Sequence, residues 1–347
     1  MEQCMSCKKK VFIAYTGGTI GMKKTASGWA PAPGFLAEMM QNNPVFHSDI
    51  MPQYDIYEFS PLLDSSNMTP RNWVMIAEEV AQRIDDYDGI IVLHGTDTMA
   101  YSASALSFML ENLHKPVVFT GSQIPMVEPR TDAIRNLTNS LLIAAHESIP
   151  EVSLYFDQYL YRGCRAVKAH CDNLSAFASP NYPPLAVAGI NIEVNQQLVR
   201  AEPTIEHGGL SLHKEMDPYV GILWLFPGIT AEVVSNFLQA PLKGAVIQAY
   251  GVGNGPSADP QFVAALQEAH QRGVVLVDCT QCWSGRVNIT GYATGTGMAA
   301  AGVVSGYDMT PEAALTKLFY LFGKGYSSQQ VEQLIQQDLR GELTAHL

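Results

Sequence analysis

Short apolar runs alternate with amphipathic stretches along most of this 347-residue chain. Val11–Tyr15 and Gly89–Leu93 are continuous apolar runs of strand length, which is typical of strands buried on both faces of a parallel sheet. Between them, the apolar residues from Trp73 to Ile84 fall on one face of a helix that begins after Thr69. This alternation predicts an α/β fold built on a doubly wound, parallel-type sheet.

The same patterns predict the remaining elements of two successive α/β rhythms. In the first rhythm we expect strands over residues 54–59, 117–120 and 152–156, helices over 35–41, 100–110 and 133–145, and a loop over 22–34. In the second rhythm we expect strands over residues 220–226, 244–250 and 273–278, and helices over 231–237, 261–270, 311–322 and 328–339.

A polar stretch without sustained periodicity separates the two rhythms. Residues 191–217 contain Pro203 and two adjacent glycines, and this composition is typical of a linker. A chain of this length also suits two domains better than one core. We therefore predict a larger N-terminal domain over residues 1–190, a linker over 191–217 and a smaller C-terminal α/β domain over 218–347.

The charge balance argues against nucleic acid as a partner. The chain carries 33 acidic against 21 basic residues, a net charge of -12 that would repel a phosphate backbone. The apolar run at Val11–Ala14 is too short for a signal peptide, and no later run reaches the length of a membrane span. We therefore expect a cytoplasmic protein with no membrane partner.

The cysteines and histidines indicate neither a disulfide framework nor a metal site. Six cysteines are too few for a framework in a chain this long. Cys4/Cys7 and Cys279/Cys282 have the C-x-x-C spacing, but a shared zinc would require two distant segments to meet. The histidines form no H-E-x-x-H pattern. We expect no metal and no cofactor. The other two cysteines are Cys164 and Cys171.

Short polar groups follow several of the predicted strands. Thr16 comes directly before Gly17–Gly18, and Asp64–Ser66 and Thr96–Asp97 occupy the same position after their strands. Ligands of open α/β sheets bind at the carboxyl ends of strands, so parallel topology predicts that these groups converge. A hydroxyl nucleophile needs a base to take its proton, and the candidates are Asp97, a relay of hydroxyls, or a lysine whose pKa is lowered by burial, such as Lys168. The alternatives are an ordinary turn at Thr16 and a solvated lysine at 168.

Two of these motifs together resemble the signatures of the bacterial asparaginase and glutaminase family. They are Thr16–Ile20 (TGGTI) and His94–Met99 (HGTDTM), of which the second is the more specific. The resemblance covers nearly the whole chain and is closest to the cytoplasmic, type I branch. It extends through Asp64-Ser65-Ser66, Gly121-Ser122-Gln123, Lys168-Ala169-His170 and Gly251-Val252-Gly253-Asn254.

The resemblance implies hydrolysis of L-asparagine to L-aspartate and ammonia through an acyl ester on Thr16. It implies that Thr96, Lys168 and Asp97 form a hydrogen-bonded group that helps to activate the nucleophile or water. It further implies that Asp97 receives the α-ammonium of the substrate and that Ser65 binds the α-carboxylate. The family's subunits form homodimers, often paired into homotetramers, with active sites between subunits. The residues that it implies for substrate binding are Asp64, Ser65, Ser66, Thr96 and Asp97.

Two features depart from the family pattern. Family members carry a tyrosine in the loop beside the nucleophile, whereas this chain has Trp29 there, and an indole cannot relay a proton as a phenol can. Some type I members also bind a second, regulatory asparagine. The corresponding residues here are Gln248, Thr280, Gln281 and Cys282, and a glutamine at 248 binds a carboxylate less strongly than the expected arginine.

Three other functions compete with this interpretation. A nucleotide-binding dehydrogenase also has glycines after its first strand, but Thr16–Gly21 lacks the G-x-G-x-x-G spacing. The related subunit of a tRNA-dependent amidotransferase would need an additional N-terminal domain and a basic surface. A non-catalytic amino-acid sensor on the same scaffold is disfavoured by the intact set Thr16, Thr96, Asp97 and Lys168.

Overall fold

The computed structural model describes residues 8–26, 28–203, 209–289, 291 and 293–344, and the predicted Cys4/Cys7 pair lies outside these residues. The chain divides into two compact units. The first comprises Met1–Ser179 and Pro183–Leu212, and the second comprises Pro180–Tyr182 and His213–Leu347. In the described residues, none of the helices combines the length and the apolar character that crossing a lipid bilayer requires.

The first unit contains fourteen strands and four α-helices within its described residues. Its strands are β1 (Lys10–Gly17), β2 (Met22–Thr25), β3 (Gly28–Pro31), β4 (Gln53–Leu63), β5 (Gly89–Leu93), β6 (Leu110–Glu111), β7 (Val117–Thr120), β8 (Val152–Phe156), β9 (Tyr159–Arg162), β10 (Val167–Lys168), β11 (Phe177–Ala178), β12 (Ala186–Ala188), β13 (Ile192–Val194) and β14 (Ser211–Leu212). Its helices are α1 (Phe35–Asn42), α2 (Pro70–Arg83), α3 (Met99–Met109) and α4 (Ala133–His146).

Eight of these strands form one sheet in the order β13-β12-β9-β8-β7-β5-β1-β4. The five strands from β8 to β4 are parallel, as the continuous apolar runs predict, and β1, β5, β7 and β8 are almost completely buried. Strands β9, β12 and β13 add an antiparallel extension. The predicted α/β class with a parallel-dominated sheet is therefore confirmed.

Two segments of the first unit differ from the sequence prediction. The segment predicted as a loop, residues 22–34, contains the hairpin β2–β3, in which Met22 pairs with Pro31. Residues 23–26 are exposed, so this hairpin has no buried face and leaves no apolar period in the sequence. Strand β4 continues through Pro61 to Leu63, which an edge strand tolerates because its outer backbone groups need no ladder partner.

The stretch predicted as a linker, residues 191–217, contains two of these strands. Strand β13 pairs with β12 in the large sheet, and β14 pairs with β6. Main-chain pairing depends little on apolar side chains, and these strands are only two or three residues long, so neither produced a recognisable pattern.

The second unit is a smaller α/β layer around one sheet, in agreement with the prediction. Its four strands are parallel in the order β15-β16-β17-β18. They are β15 (Val220–Trp224), β16 (Gly244–Ala249), β17 (Val275–Thr280) and β18 (Val303–Ser305). The helices are α5 (Ala231–Phe237), α6 (Pro260–Gln271), α7 (Ala293–Ala300), α8 (Pro311–Gly323) and α9 (Ser328–Ile335). Helix α7 was not predicted, because its run of alanine, threonine and glycine has almost no apolar period, and strand β18 was not predicted, because it is only three residues long.

A buried ion pair holds the last part of the chain against α8. Lys317 on α8 and Glu342 are both fully buried, with Nζ of the lysine 2.5 Å from Oε1 of the glutamate. The same ammonium donates to the carbonyl oxygens of Ile335 at 2.9 Å and Gln337 at 2.5 Å. Burial alone would raise the pKa of Glu342, but the adjacent ammonium and its hydrogen bond lower that pKa on balance.

Asp278 on β17 is also a buried carboxyl, but unlike Glu342 it lies beside no cation that pairs with it in the described structure. Its side chain is fully buried, and neither carboxyl oxygen has a hydrogen-bond partner in the described part of the chain. The carboxyl packs directly against Gly253, where an added Cβ would lie 2.5 Å from Oδ2. Burial raises the pKa of Asp278 to about 8. The folded protein therefore holds this carboxyl as the neutral acid at pH 7.

We expect Asp278→Asn to stabilise the protein at neutral and alkaline pH. The folded-state pKa lies above that of the unfolded chain, so the native protein holds the extra proton and loses stability as pH rises from about 4 to about 8. Asparagine lacks this titration, and its advantage should grow by at most about 1.4 kcal/mol per pH unit. Thermal unfolding of both proteins between pH 4 and 9 measures the difference. A constant difference in unfolding temperature across that range would contradict the prediction.

Candidate active site

Glycines allow the ends of β1, β4 and β5 to meet without intervening side chains. Gly17 and Gly18 both have positive φ, at 132° and 89°. A Cβ on Gly17 would lie 2.2 Å from the carbonyl oxygen of Leu63, and one on Gly18 would lie 2.6 Å from the Cα and nitrogen of Gly95. Both contacts are too close for any side chain, so these positions require glycine.

The turn after β4 packs against the same group. A Cβ on Gly95 would lie 2.5 Å from the hydroxyl oxygen of Ser65, and the Thr98 hydroxyl donates to the carbonyl oxygen of Ser65 at 2.7 Å. Ser65 is only 4% exposed. The structure thus brings together the three strand ends that the parallel topology predicted to converge.

Thr16 is the polar residue nearest the end of β1. Its side chain is almost completely buried, and its hydroxyl donates to the carbonyl oxygen of Leu93 at 2.9 Å. Leu93 is the last residue of β5, so this bond joins two adjacent strand ends. The hydroxyl proton is thereby held by a main-chain acceptor, and the oxygen keeps its lone pairs for other contacts.

Lys168 connects the two polar residues that follow β5. Its Nζ donates to Oγ1 of Thr96 at 3.0 Å and to Oδ1 of Asp97 at 2.5 Å. The lysine side chain is 19% exposed, whereas that of Asp97 is 63% exposed. The alternative of a solvated surface lysine is therefore wrong, and the Asp97 carboxylate lies at the open side of this group.

Asp64 and Ser66 make a local turn rather than contacts with this group. The Asp64 carboxylate accepts from the backbone N–H of Ser66 at 3.0 Å and from its hydroxyl at 2.9 Å. Both residues are exposed, on either side of the buried Ser65. Their hydrogen bonds form an Asx turn that fixes the backbone at Ser65.

Two residues to which the sequence analysis assigned no role, Gln123 and Asp132, support the Thr96–Lys168–Asp97 group from the β7 side. The side-chain oxygen of Gln123 accepts from the Thr96 hydroxyl at 2.9 Å. The backbone N–H groups of Gln123 and Ile124 both donate to the carboxylate of Asp132, which is only 3% exposed. Gln123 belongs to a quoted motif, but Asp132 stands before α4 without any distinguishing pattern.

His94 is buried at the end of β5 and stays neutral. Its Nδ1 bonds the carbonyl oxygen of Gly95 at 2.7 Å, so Nδ1 carries the proton and Nε2 accepts from the Ser102 hydroxyl at 2.9 Å. The Trp73 indole donates in turn to that hydroxyl at 2.9 Å. Burial lowers the pKa of His94 to about 4. This histidine therefore fixes a tautomer and a backbone turn, and it carries no charge at pH 7.

The four residues noted as a second asparagine site lie at the carboxyl ends of β16 and β17. Gln248 is buried, and its carbonyl oxygen accepts from Nε2 of Gln281 at 2.7 Å. The Thr280 hydroxyl donates to the carbonyl oxygen of Gly251 at 2.5 Å and accepts from the backbone N–H of Cys282 at 3.0 Å. The thiol-bearing residue Cys282 is exposed.

No group of three or more histidine, cysteine, aspartate or glutamate side chains within the described ranges is placed to hold a metal ion.

Known proteins resemble this chain along almost its full length. The family model "Asparaginase, N-terminal" matches residues 10–200, and the model "Glutaminase/Asparaginase C-terminal domain" matches residues 219–335. L-asparaginase 1 of Escherichia coli K12 is 50% identical over 337 residues, which cover 97% of this chain and 98% of that protein.

Two solved structures share this fold. L-asparaginase I from Vibrio cholerae has a TM-score of 0.90 and 48% identity, with 97% of this chain and 100% of that chain covered. The thermostable L-asparaginase from Thermococcus kodakarensis has a TM-score of 0.84 and 36% identity, with 96% and 99% covered.

The glycine contacts predict a specific difference between two substitutions. Gly18 and Gly34 both have positive φ, but a Cβ on Gly34 would meet nothing within 4 Å. Both alanine variants should lose about 1–2 kcal/mol through backbone strain. Gly18→Ala should lose roughly 1–3 kcal/mol more, because its Cβ overlaps the Gly95 backbone. Denaturant unfolding of the two variants tests this, and equal losses would exclude the steric contribution.

Proposed function

The chain belongs to the asparaginase family, and we propose that it is an L-asparaginase that forms a threonine acyl-enzyme intermediate. It hydrolyses the side-chain amide of L-asparagine to L-aspartate and ammonia. One arrangement supports this above the others: Lys168 donates to both Thr96 and Asp97, at the strand ends that also carry Thr16. A lysine in an ordinary surface loop would be solvated, whereas Lys168 is mostly buried and bonds to both a buried hydroxyl and a carboxylate.

Thr16 is the nucleophile. Its oxygen attacks the amide carbon of the substrate, the C–N bond breaks, and ammonia leaves with the proton that the hydroxyl gives up. The product is an ester between Thr16 and the aspartyl group. A water molecule then attacks the same carbon and breaks the ester, which releases aspartate and restores the hydroxyl. The position of Thr16 supports this role, because its bond to the carbonyl oxygen of Leu93 holds the hydroxyl at the strand ends where the other polar groups lie.

Lys168 and Thr96 serve the chemistry. A threonine hydroxyl is a weak nucleophile, so a neighbouring group must take its proton or stabilise the charge that develops. The Lys168 nitrogen donates to the Thr96 oxygen at 3.0 Å. The same nitrogen also pairs with the Asp97 carboxylate. The lysine then acts by electrostatic stabilisation through Thr96.

Asp97 and the 64–66 turn bind the substrate's amino-acid group. The Asp97 carboxylate is mostly exposed, so the substrate α-ammonium can approach it opposite Lys168. Ser65, held beside Gly95, is placed to donate its hydroxyl to the α-carboxylate. Asp64 and Ser66 shape the turn that presents Ser65, and they complete the proposed binding set.

Trp29 closes the loop beside the nucleophile without relaying a proton. It lies on β3 of the β2–β3 hairpin and is 40% exposed. Its ring N–H only donates, so the proton of Thr16 must leave through other groups. This places a greater demand on Lys168 and Thr96 than a phenol in the same position would.

Assembly, location and cofactor use follow the same proposal. We expect a cytoplasmic homodimer or homotetramer that needs neither a metal nor an organic cofactor. Neither an acidic chain of net charge -12 nor the proposed chemistry calls for a nucleic-acid or membrane partner.

Exhaustive chelation should leave the rate of ammonia release unchanged, and a loss that zinc restores would contradict the metal-free mechanism.

The proposal includes a second, low-affinity asparagine site formed by Gln248, Thr280, Gln281 and Cys282. The four residues lie together at one sheet edge. Gln248 is buried, and its side chain is a neutral amide. A cationic side chain such as arginine at this position would bind the carboxylate of an effector more strongly than the amide does.

Thr16→Ala should abolish the acyl-enzyme, and Lys168→Met should slow its formation. Thr16→Ala removes the nucleophilic oxygen, so the mass adduct that a slow substrate leaves on the wild-type chain should disappear. Lys168→Met keeps an unbranched stem but removes the nitrogen, and we expect turnover to fall by about a hundredfold or more with KM little changed.

Asp97→Asn should weaken substrate binding as well, because it removes the charge opposite the ammonium.

Intact-protein mass spectrometry and ammonia release with asparagine and glutamine measure these effects. Lys9→Met is the matched control, since Lys9 pairs only with the distant surface residue Asp88 in the described structure. Normal turnover in Thr16→Ala, or in Lys168→Met, would contradict the assigned role.

The second site should make the rate of ammonia release depend sigmoidally, though weakly, on asparagine concentration, and a plain hyperbola would count against it. The neutral amide of Gln248 limits the affinity of the second site, and Gln248→Arg should strengthen the sigmoidal response. Equilibrium dialysis counts the asparagine molecules bound per subunit. One molecule per subunit in both proteins would exclude the second site.

A further inference from the structure

We propose that Gln123 is a positioning residue that fixes the direction of the Thr96 hydroxyl, an inference that rests on the proposed asparagine hydrolysis. The side chain of Gln123 lies between Thr96 and the chain segment that follows Lys168. Its amide contacts three groups whose hydrogen-bonding roles determine one another. This places Gln123 behind the catalytic group rather than in contact with the substrate.

Two carbonyl groups orient the amide of Gln123. Its Nε2 donates to the carbonyl oxygens of Cys171 at 3.1 Å and Asn173 at 3.2 Å. A carbonyl oxygen only accepts, so the opposite orientation would place the amide oxygen against two other oxygens. The amide oxygen of Gln123 therefore faces Thr96.

The backbone of Gln123 is held independently of that side chain. Its N–H donates to both carboxylate oxygens of Asp132, at 3.2 and 3.0 Å. Asn136 on α4 donates to the same carboxylate at 3.1 Å and to the carbonyl oxygen of Gly121 at 3.0 Å. Asp132 and Asn136 are both buried, so the base of the Gln123 side chain is fixed before any contact with Thr96.

The orientation of the amide dictates the direction of the Thr96 hydroxyl. Because the amide oxygen only accepts, the Thr96 hydroxyl must donate its proton to Gln123 across 2.9 Å. Thr96 then has no proton to give to Lys168, and accepts from its Nζ at 3.0 Å. Lys168 therefore acts on Thr96 as a donor and not as a base. The second lone pair of the Thr96 oxygen stays available to accept one further hydrogen bond.

Two variants at position 123 separate this role from simple support of the loop. Gln123→Met and Gln123→Glu both lose the donors to Cys171 and Asn173, and glutamate also places an oxygen against those two carbonyl oxygens, so its structural cost should be the larger of the two. Only glutamate keeps an acceptor for the Thr96 hydroxyl. We expect Gln123→Met to lower kcat by about tenfold with KM changed less than about threefold, because the hydroxyl loses its fixed direction. Gln123→Glu should keep kcat within about threefold of wild type.

Steady-state kinetics and thermal unfolding are measured together on the wild type, both variants and the control Gln41→Met, an exposed glutamine on α1. A higher kcat in Gln123→Glu than in Gln123→Met, without a higher unfolding temperature, supports the inference. Equal losses of kcat in both, or normal kcat in Gln123→Met, overturn it. A wild-type chain that releases no ammonia from asparagine refutes the proposed function instead.

A neutron structure of the unliganded protein tests the hydroxyl direction without any activity. We expect the Thr96 deuteron to lie between Oγ1 and the Gln123 oxygen. A deuteron that points to Lys168 overturns the inference even if the enzyme is active.

Discussion

The site depends on the direct contact of backbones at the ends of β1, β4 and β5. Gly17 lies against Leu63, Gly18 against Gly95, and Gly95 against the side chain of Ser65. With no Cβ in between, three chain segments occupy the space that side chains normally fill at a sheet edge. The hydroxyl of Thr16 then reaches a carbonyl of β5, and Ser65 is buried beside the loop that carries the other polar groups. Thr16 and Lys168 lie on strands, whereas Ser65, Thr96 and Asp97 lie in short connections that directly follow strands β4 and β5.

Lys168 is bonded to two of the polar groups at this edge of the large sheet. Lys168 bonds to a buried hydroxyl on one side and to a largely exposed carboxylate on the other. The buried side serves the proposed chemistry, since a charge in a poorly hydrated place acts strongly on nearby oxygens. The exposed side serves binding, because a substrate ammonium can approach Asp97 from solvent. This division explains why loss of Lys168 and loss of Asp97 should have different kinetic effects.

The sequence predicted the elements that leave a clear apolar pattern and the polar residues that follow them, but not short buried strands such as β9 and β18. Strand β5 and helix α4 leave clear apolar patterns, and the polar residues after the strands indicated Thr16, Thr96 and the 64–66 turn. The β2–β3 hairpin was missed, because main-chain pairing on an exposed surface needs no apolar period. Asp132 was missed for another reason: its carboxylate contacts backbone N–H groups nearly ten residues earlier, and such a contact has no local sequence signal. The roles of Thr16 and Lys168 came from the family resemblance and not from periodicity.

Two buried carboxyls of the second unit illustrate how strongly a partner decides the charge of a group. Glu342 and Asp278 are equally inaccessible to water. Beside the Lys317 ammonium the pKa of Glu342 is lowered, whereas the isolated carboxyl of Asp278 has its pKa raised to about 8. The contribution of Glu342 is therefore lost as pH falls, because acid protonates a carboxylate that the fold needs charged. The cost of Asp278 appears instead as pH rises, because alkali ionises a carboxyl that the fold holds neutral. An aspartate in an otherwise apolar strand thus limits stability at high pH, while a glutamate of similar burial supports it.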